Sequence, residues 1–227
     1  MGCLQSILGS IFGSGGAEDG SNKGNDGDVE LQLVPPVVLN PSSKGPNLIL
    51  TNNNSTCSGT GTIIADTAIE QDSAYWEAKI ISSEGHFCLG VARKQDELNK
   101  IDFPNNESTW GFSTISDNND SETTKKEEEE KWGFEEIDTT LKFQDGDVVG
   151  IVMDYTDLPM LSFYKNGELM DDFSVWRIRG KVYPAVRIIE EDNNATKIEM
   201  VFGPSDKWKY PPPKKRCTQI VKSQNVI

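Results

Sequence analysis

From about Leu31 onward, the chain consists of short apolar runs separated by clusters of turn residues. One run, YWEAKII at 75–81, alternates at its centre between apolar and charged side chains. Successive side chains of a strand point to opposite faces, so its tryptophan, alanine and isoleucine share one face, and its glutamate and lysine share the other. The segment therefore predicts a strand with one face against a core.

Five further runs have the length and composition of strands, and several are continuously apolar, as is typical of centrally buried strands. They are FCLGVA (87–92), VVGIVMD (148–154), MLSFYK (160–165), KVYPAVRI (181–188) and KIEMVF (197–202). Asn166-Gly167 predicts a hairpin between MLSFYK and ELMDDF, because a type I′ turn needs positive φ at both central residues. Gly146-Asp147 predicts a turn in which the aspartate caps local donors, and Pro184 predicts an edge position. Together these elements predict an all-β fold.

Five blocks of the sequence resemble one known family in their order and separation. YWEAKI, LGVA, GDVVGIVMD, LSFYKNG and KVYPAV follow one another as in SPRY domains, over about residues 48–212. The resemblance implies a SPRY-type β-sandwich of two antiparallel sheets, a concanavalin-like jelly roll. It also implies a ligand surface formed by loops at one rim, which recognises short segments of other proteins. Two packed sheets need inward alternation and tight hairpins, and the residues predict both independently.

Composition divides the chain into three regions. Its 227 residues suit one large domain with tails, which we place at residues 31–212. Residues 1–30 form an N-terminal segment and linker, since GSGGAEDGSNKGNDGD at 13–28 is too poor in apolar side chains to offset the entropy of ordering. An acidic loop insertion is expected at about 115–131, and a basic C-terminal tail at 213–227.

Charge is unevenly distributed along the chain. The formal net charge is −14, but no acidic residue follows Asp206 and six lysines and arginines do, so residues 1–206 carry −20. A body with this charge repels phosphate backbones, and we therefore expect no nucleic-acid partner.

Candidate catalytic groups are scarce. The chain has one histidine, His86, two residues before Cys88, so a strand would place both side chains on one face. Residues two apart on a strand are splayed, and no orienting acid is evident, so a structural histidine beside a small buried thiol is favoured over a catalytic dyad. One histidine and scattered cysteines also do not suit a zinc site. We therefore expect a protein that is not an enzyme, with no cofactor and no metal.

The first six residues, MGCLQS, match the pattern for N-myristoylation of Gly2 after removal of Met1. Cys3 is then a candidate palmitoylation site. One myristoyl chain gives marginal membrane binding, so the adjacent thiol, the apolar side chains up to Phe12 and the basic tail are candidate second signals. The first Lys or Arg is Lys23, which disfavours a secretory signal peptide. These features predict a peripheral protein on the cytosolic face of a membrane.

The expected function is a monomeric adaptor that binds an unidentified protein or peptide at the membrane. Aromatic side chains in polar surroundings are typical interface anchors, which makes Trp132, Phe134 and Trp176 the candidate partner-binding residues, although residues of this type more often belong to the core. The alternative is a lectin-like sandwich that binds carbohydrate, since it shares this general architecture.

Overall fold

The computed structural model describes residues 35–94, 108–114, 142–190 and 195–222. In these ranges the chain forms β-strands and three 3₁₀ helices, at Pro41–Ser43, Asp171–Phe173 and Ser205–Lys207. The strands are β1 (Leu48–Thr51), β2 (Thr56–Gly59), β3 (Gly61–Ile64), β4 (Ser73–Ser83), β5 (His86–Ala92), β6 (Thr109–Ser113), β7 (Val148–Asp154), β8 (Met160–Lys165), β9 (Glu168–Leu169), β10 (Val175–Trp176), β11 (Tyr183–Ile189) and β12 (Thr196–Val201). A search of the described residues finds no helix with the length and hydropathy to cross a bilayer.

The strands form two antiparallel sheets, which confirms the predicted all-β sandwich. The large sheet has the order β1-β2-β12-β4-β7-β8-β10, and β9 also pairs with β8. The small sheet has the order β3-β11-β5-β6. Every strand pair in both sheets is antiparallel.

The core lies between the two sheets and is rich in aromatic rings. Phe112 of the small sheet meets Phe163 of the large sheet edge to face, with ring centroids 4.8 Å apart. Phe173, in the 3₁₀ helix before β10, packs on the same ring at 5.5 Å. Trp76, whose position in YWEAKII predicted an inward side chain, is fully buried in this core.

Two predicted turns have the expected geometry. Asn166 and Gly167 have φ of 52° and 88°, and they join β8 to β9 as the hairpin signal indicated. Asp147 accepts a hydrogen bond from the Gln144 backbone N–H at 2.9 Å and from Asn166 Nδ2 at 2.8 Å. The two turns before β7 and after β8 are therefore joined by one carboxylate.

The edge position predicted for Pro184 is wrong, because β11 lies between β3 and β5 in the small sheet. The Pro184 carbonyl accepts a hydrogen bond from the Ala65 N–H at 2.8 Å, one residue past the end of β3. The N–H and C=O of a strand residue point to the same neighbour, so the missing N–H faces the place where β3 has ended. An interior strand thus tolerates the proline where its partner stops.

Residues 205–222 form a segment, here called the strap, that crosses the outer face of the large sheet. Trp208 packs edge to face on Tyr75, with ring centroids 4.8 Å apart. Glu77 is fully buried beneath the strap and accepts hydrogen bonds from the backbone N–H groups of Lys209 at 2.7 Å and Tyr210 at 2.8 Å. A carboxylate on the outer face of β4 is thereby enclosed.

Basic side chains hold the far end of the strap. Lys214 Nζ and Arg216 Nη2 both donate to Asp154 Oδ2, at 2.9 and 2.6 Å. The Tyr75 N–H then donates to the Thr218 carbonyl at 2.9 Å, so the chain rejoins the large sheet beside β4. Residues 213–222, placed in the basic tail by composition, thus lie against the sandwich.

Several predicted features lie outside the described residues. They are the lipidation residues Gly2 and Cys3, the linker at 13–28, the acidic insertion at 115–131, and two of the aromatic candidates, Trp132 and Phe134.

Candidate interaction surface

Trp176 lies at the free end of the large sheet with its side chain on the outer face. In β10, Val175 pairs with Leu161 and Trp176 pairs with Met160. Val175 is buried at 8% exposure, whereas Trp176 is 49% exposed. Since neighbouring strand residues point to opposite faces, the tryptophan faces away from the core.

A row of paired residues places Trp176 beside the strap. Asp154 of β7 pairs with Met160 of β8, which pairs with Trp176 of β10. Asp154 is covered by Lys214 and Arg216. The outer face therefore changes along this row from a covered ion-pair cluster to a half-buried methionine and an exposed tryptophan.

The residue after Trp176 has an unusual backbone. Arg177 has φ of 62°, and it is the sole described residue with positive φ that is neither glycine nor asparagine. Left-handed backbone costs an ordinary L-residue about 1–2 kcal/mol, because Cβ crowds the following carbonyl oxygen. Arginine is thus kept at a position where glycine would relieve strain.

Backbone contacts fix the loop that follows. Ile178 and Val182 are buried, at 2% and 0% exposure, and anchor it in the core. Between them, the Arg179 carbonyl accepts hydrogen bonds from Arg93 Nε at 3.0 Å and Nη2 at 2.8 Å. The Arg93 guanidinium in turn lies 5.5 Å from the ring centroid of Trp110. We call residues 176–179 the WRIR corner.

The side chains of the corner leave its positive charge available. Arg177 and Arg179 are both exposed, and neither forms an ion pair within the described part of the chain. Lys181, two residues on, pairs with Glu70 at 2.6 Å. The WRIR corner thus combines an exposed aromatic ring with two guanidinium groups that have no ion-pair partner among the described residues.

A groove on the same outer face near the opposite rim is less suited to binding. It is lined by residues of β4, β7, the turn before β7, β12 and the strap, namely Lys79, Ile80, Ile81, Gly146, Val148, Glu199 and Lys209. Its lysines already have partners: Lys79 pairs with Glu199 at 3.7 Å, and Lys209 donates to the Gly146 carbonyl at 3.3 Å. The groove is also wide open to solvent.

Comparison with known proteins identifies the fold family. The family model described as SPRY domain matches residues 73–204, more than half of the chain. The chain belongs to the SPRY domain family.

Relatives within the SPRY family match nearly the full chain. The proteins named SPRY domain-containing protein 7 from Mus musculus, Homo sapiens and Gallus gallus are each 30% identical over 190 residues, covering 84% of this chain and 87% of theirs. Among solved structures, a chain titled "Stonustoxin structure" is 14% identical with a TM-score of 0.45, covering 73% of this chain and 27% of that one.

SPRY domains are generally non-catalytic modules that bind other proteins. The SPRY match begins at the first residue of β4 and ends after β12, so it contains the WRIR corner, and the strap follows it. The corner therefore belongs to the part of the chain that defines the family.

The geometry does not support the Cys-His dyad. Cys88 is fully buried on the small sheet, and its thiol donates to Ser113 Oγ at 3.3 Å. Burial raises the pKa of Cys88 to about 11, so the thiol is neutral rather than a nucleophilic thiolate. A search of the described residues also finds no group of histidine, cysteine and carboxylate side chains placed to hold a metal ion.

Of the three aromatic candidates, the described residues include Trp176 alone, and its exposure is what an interface anchor requires. Its role in binding stays a prediction. Sequence reasoning missed Arg177 and Arg179, since exposed arginines are common and the left-handed backbone at Arg177 has no local signal. The one available clue is the spacing WRIRGK, which carries three cations without an acidic residue in an acidic chain.

Proposed function

We propose that this SPRY protein is a non-catalytic adaptor that holds a protein partner at the cytosolic face of a membrane. The observation that carries the interaction half of the proposal is the SPRY match over residues 73–204. Supporting it, the described surface presents an exposed aromatic ring and unpaired cations on a rigid loop, whereas the Cys88 thiol of the candidate dyad is buried and neutral.

The membrane half rests on the first residues of the chain. Met1-Gly2-Cys3 with a serine at position 6 fits the myristoylation pattern, and Cys3 offers a thiol for a second acyl chain. One myristoyl group gives an association constant of only about 10⁴ M⁻¹, so stable anchoring needs a second signal, and palmitate at Cys3 is the one we favour. The adjacent Gly- and Asp-rich segment would then act as a tether between acyl groups and domain.

Replacing the acceptor glycine tests the membrane half. Gly2→Ala removes the myristoylation site, and we expect the protein to move from the membrane to the soluble fraction on cell fractionation. Cys3→Ser should give weaker, reversible membrane association, because one acyl chain remains. Gly9→Ala is the matched control and should leave partitioning unchanged.

Intact mass spectrometry of the protein from its own cell gives a direct check. Loss of Met1 with added masses of a myristoyl and a palmitoyl group is the expected result. A native N-terminus without fatty acid, or unchanged partitioning of Gly2→Ala, would contradict the membrane half.

Affinity capture tests the interaction half against the carbohydrate alternative. The full chain should retain a defined protein from lysate, and free monosaccharides should not elute it. Elution by sugar would instead support a lectin-like sandwich, and failure to retain any protein would count against the adaptor.

A further inference from the structure

The WRIR corner has two independent properties that point to a ligand. Trp176 exposes about half of its surface at the end of a sheet. Arg177 keeps a charged side chain on a left-handed backbone. Strained backbone of this kind is concentrated at functional sites, where the side chain is needed in spite of its cost.

The corner is also rigid before any ligand arrives. Ile178 is buried in the core, and the carbonyl of Arg179 is held by two hydrogen bonds from Arg93. Val182 closes the loop, because its carbonyl accepts a hydrogen bond from the Ile69 N–H at 3.0 Å. A surface that is already ordered loses less entropy on binding, which favours affinity.

Charge indicates what the corner would recognise. Arg177 and Arg179 follow the tryptophan, and both lack ion-pair partners among the described residues. Asp171 and Asp172 precede β10 in the 3₁₀ helix, so the charge changes sign across Trp176. A ligand at the corner meets an aromatic ring together with two cations, which selects for acidic groups next to an apolar side chain.

We propose that the WRIR corner is a docking site for a short acidic segment of a partner polypeptide. Carboxylates of the segment pair with Arg177 and Arg179, whose planar guanidinium groups match carboxylate geometry. An apolar side chain of the segment packs on Trp176 and the half-buried Met160 beside it. This inference rests on the proposed protein-interaction function and names its surface and the chemistry of its partner.

A peptide suits this corner better than an anionic membrane does. A membrane plane would bring a whole face of a chain with net charge −14 close to lipid phosphates. A peptide interacts mainly with the charges close to its binding site, because exposed charges more than about 8 Å away are screened at physiological salt. The small cationic area therefore suits a short peptide better than an extended lipid surface.

Peptide selection on the full chain tests the inference. A random peptide library is selected against the wild-type protein, and recovered peptides are measured by fluorescence anisotropy. We expect enrichment of aspartate and glutamate next to an apolar residue. Affinity should fall about tenfold in Trp176→Ala and in Arg177→Gly.

Arg177→Gly separates binding from folding. Glycine relieves the left-handed strain, so this variant should have a thermal midpoint at or above that of the wild type while it loses affinity. Lys197→Gln is the matched control, because it removes one positive charge from β12, near the opposite rim. Its affinity for the same peptides should stay within about twofold of wild type.

Each contrary result has a distinct meaning. If recovered peptides, or a partner captured from lysate, bind both corner variants as tightly as wild type, the corner is refuted while the adaptor function stands. If the selection recovers no acidic peptide, the inference also fails. Binding of the unacylated chain to phosphatidylserine vesicles that Arg177→Gly abolishes would overturn it in favour of a membrane contact.

Discussion

At the scale of single residues, left-handed backbone is accommodated in two chemically different ways. Asn52, Asn53 and Asn54 have φ of 51°, 53° and 63° and turn the chain between β1 and β2. Asparagine tolerates this conformation because its short polar side chain hydrogen-bonds locally, as Asn52 Nδ2 does to Thr56 Oγ1 at 3.0 Å. Arg177 lacks this compensation. A run of asparagines in the sequence therefore predicts a turn, whereas nothing local predicts the strain at Arg177.

Because Asp154 is buried and bound by basic side chains of the strap, the stability that these contacts provide depends on pH. Burial alone would raise its pKa, but hydrogen bonds from Lys214, Thr156 and Arg216 outweigh this effect and hold the pKa well below its usual range. A carboxylate whose pKa is lowered in the folded state stabilises the fold at pH values above its pKa in the unfolded chain, which is about 3.9. That stabilisation is lost as the pH falls toward the pKa of the carboxylate in the folded state.

Asp154→Asn should therefore destabilise the protein by about 1–3 kcal/mol at neutral pH, because two cationic side chains lose their partner. The difference in free energy of unfolding between this variant and the wild type should become smaller as the pH falls below about 4. Urea denaturation across a pH series measures it. Asp157→Asn, the same change at an exposed position, is the control. A difference that does not vary with pH would contradict this explanation.

At the scale of elements, β4 shows what a local pattern can and cannot predict. The alternation in YWEAKII correctly predicted a strand and an inward Trp76. It also placed Glu77 on the outer face, but Glu77 is fully buried. Its covering residues are 132 and 133 positions away, at Lys209 and Tyr210, so no pattern within the strand could reveal them.

Glu77→Gln tests whether this carboxylate holds the strap in place. The amide offers one acceptor where two backbone N–H groups now donate, so one buried donor loses its partner. We expect a loss of about 1–3 kcal/mol in urea denaturation, together with faster proteolysis within residues 205–222.

Glu199→Gln is the matched control for this change. Its carboxylate forms a longer ion pair with Lys79, at 3.7 Å, and it is partly exposed. The Glu199→Gln substitution should lower the free energy of unfolding by less than about 1 kcal/mol. Equal losses in the two variants would show that the strap does not depend on the buried carboxylate.

At the scale of the whole molecule, the architecture followed from the sequence more fully than the site did. Strand runs, the Asn166-Gly167 hairpin and the order of five blocks predicted a two-sheet sandwich, and the SPRY match confirms it. These signals are local and repeat along the chain. The WRIR corner depends instead on a contact between Arg93 and Arg179, 86 residues apart, so its shape follows from the assembled fold.

The sheet ends favour a monomer. In the part of the chain that the structure describes, the four end strands, β1, β3, β6 and β10, have two to five residues each. Short edge strands offer few backbone groups for pairing with a second copy. Two of the exposed large apolar residues, Ile49 and Trp176, are at opposite ends of the large sheet.

Light scattering of the Gly2→Ala protein should give a mass near 25.1 kDa at every concentration. The substitution removes acylation and isolates the behaviour of the polypeptide itself. A mass that doubles as the concentration rises would contradict the prediction and indicate pairing between copies.

The return of the strap to β4 has a consequence for biosynthesis. The hydrogen bond from the Thr218 hydroxyl to the Ser73 carbonyl can form only after the ribosome has added Thr218, 145 residues after Ser73. At about 5–20 residues per second, the interval is about 7–29 s. During this interval the nascent chain presents Tyr75, and Val152 once it has been synthesised, without the cover that Trp208 and Cys217 later provide. The outer face of the large sheet is thus covered only near the end of synthesis, and we expect the nascent chain to expose apolar surface until then.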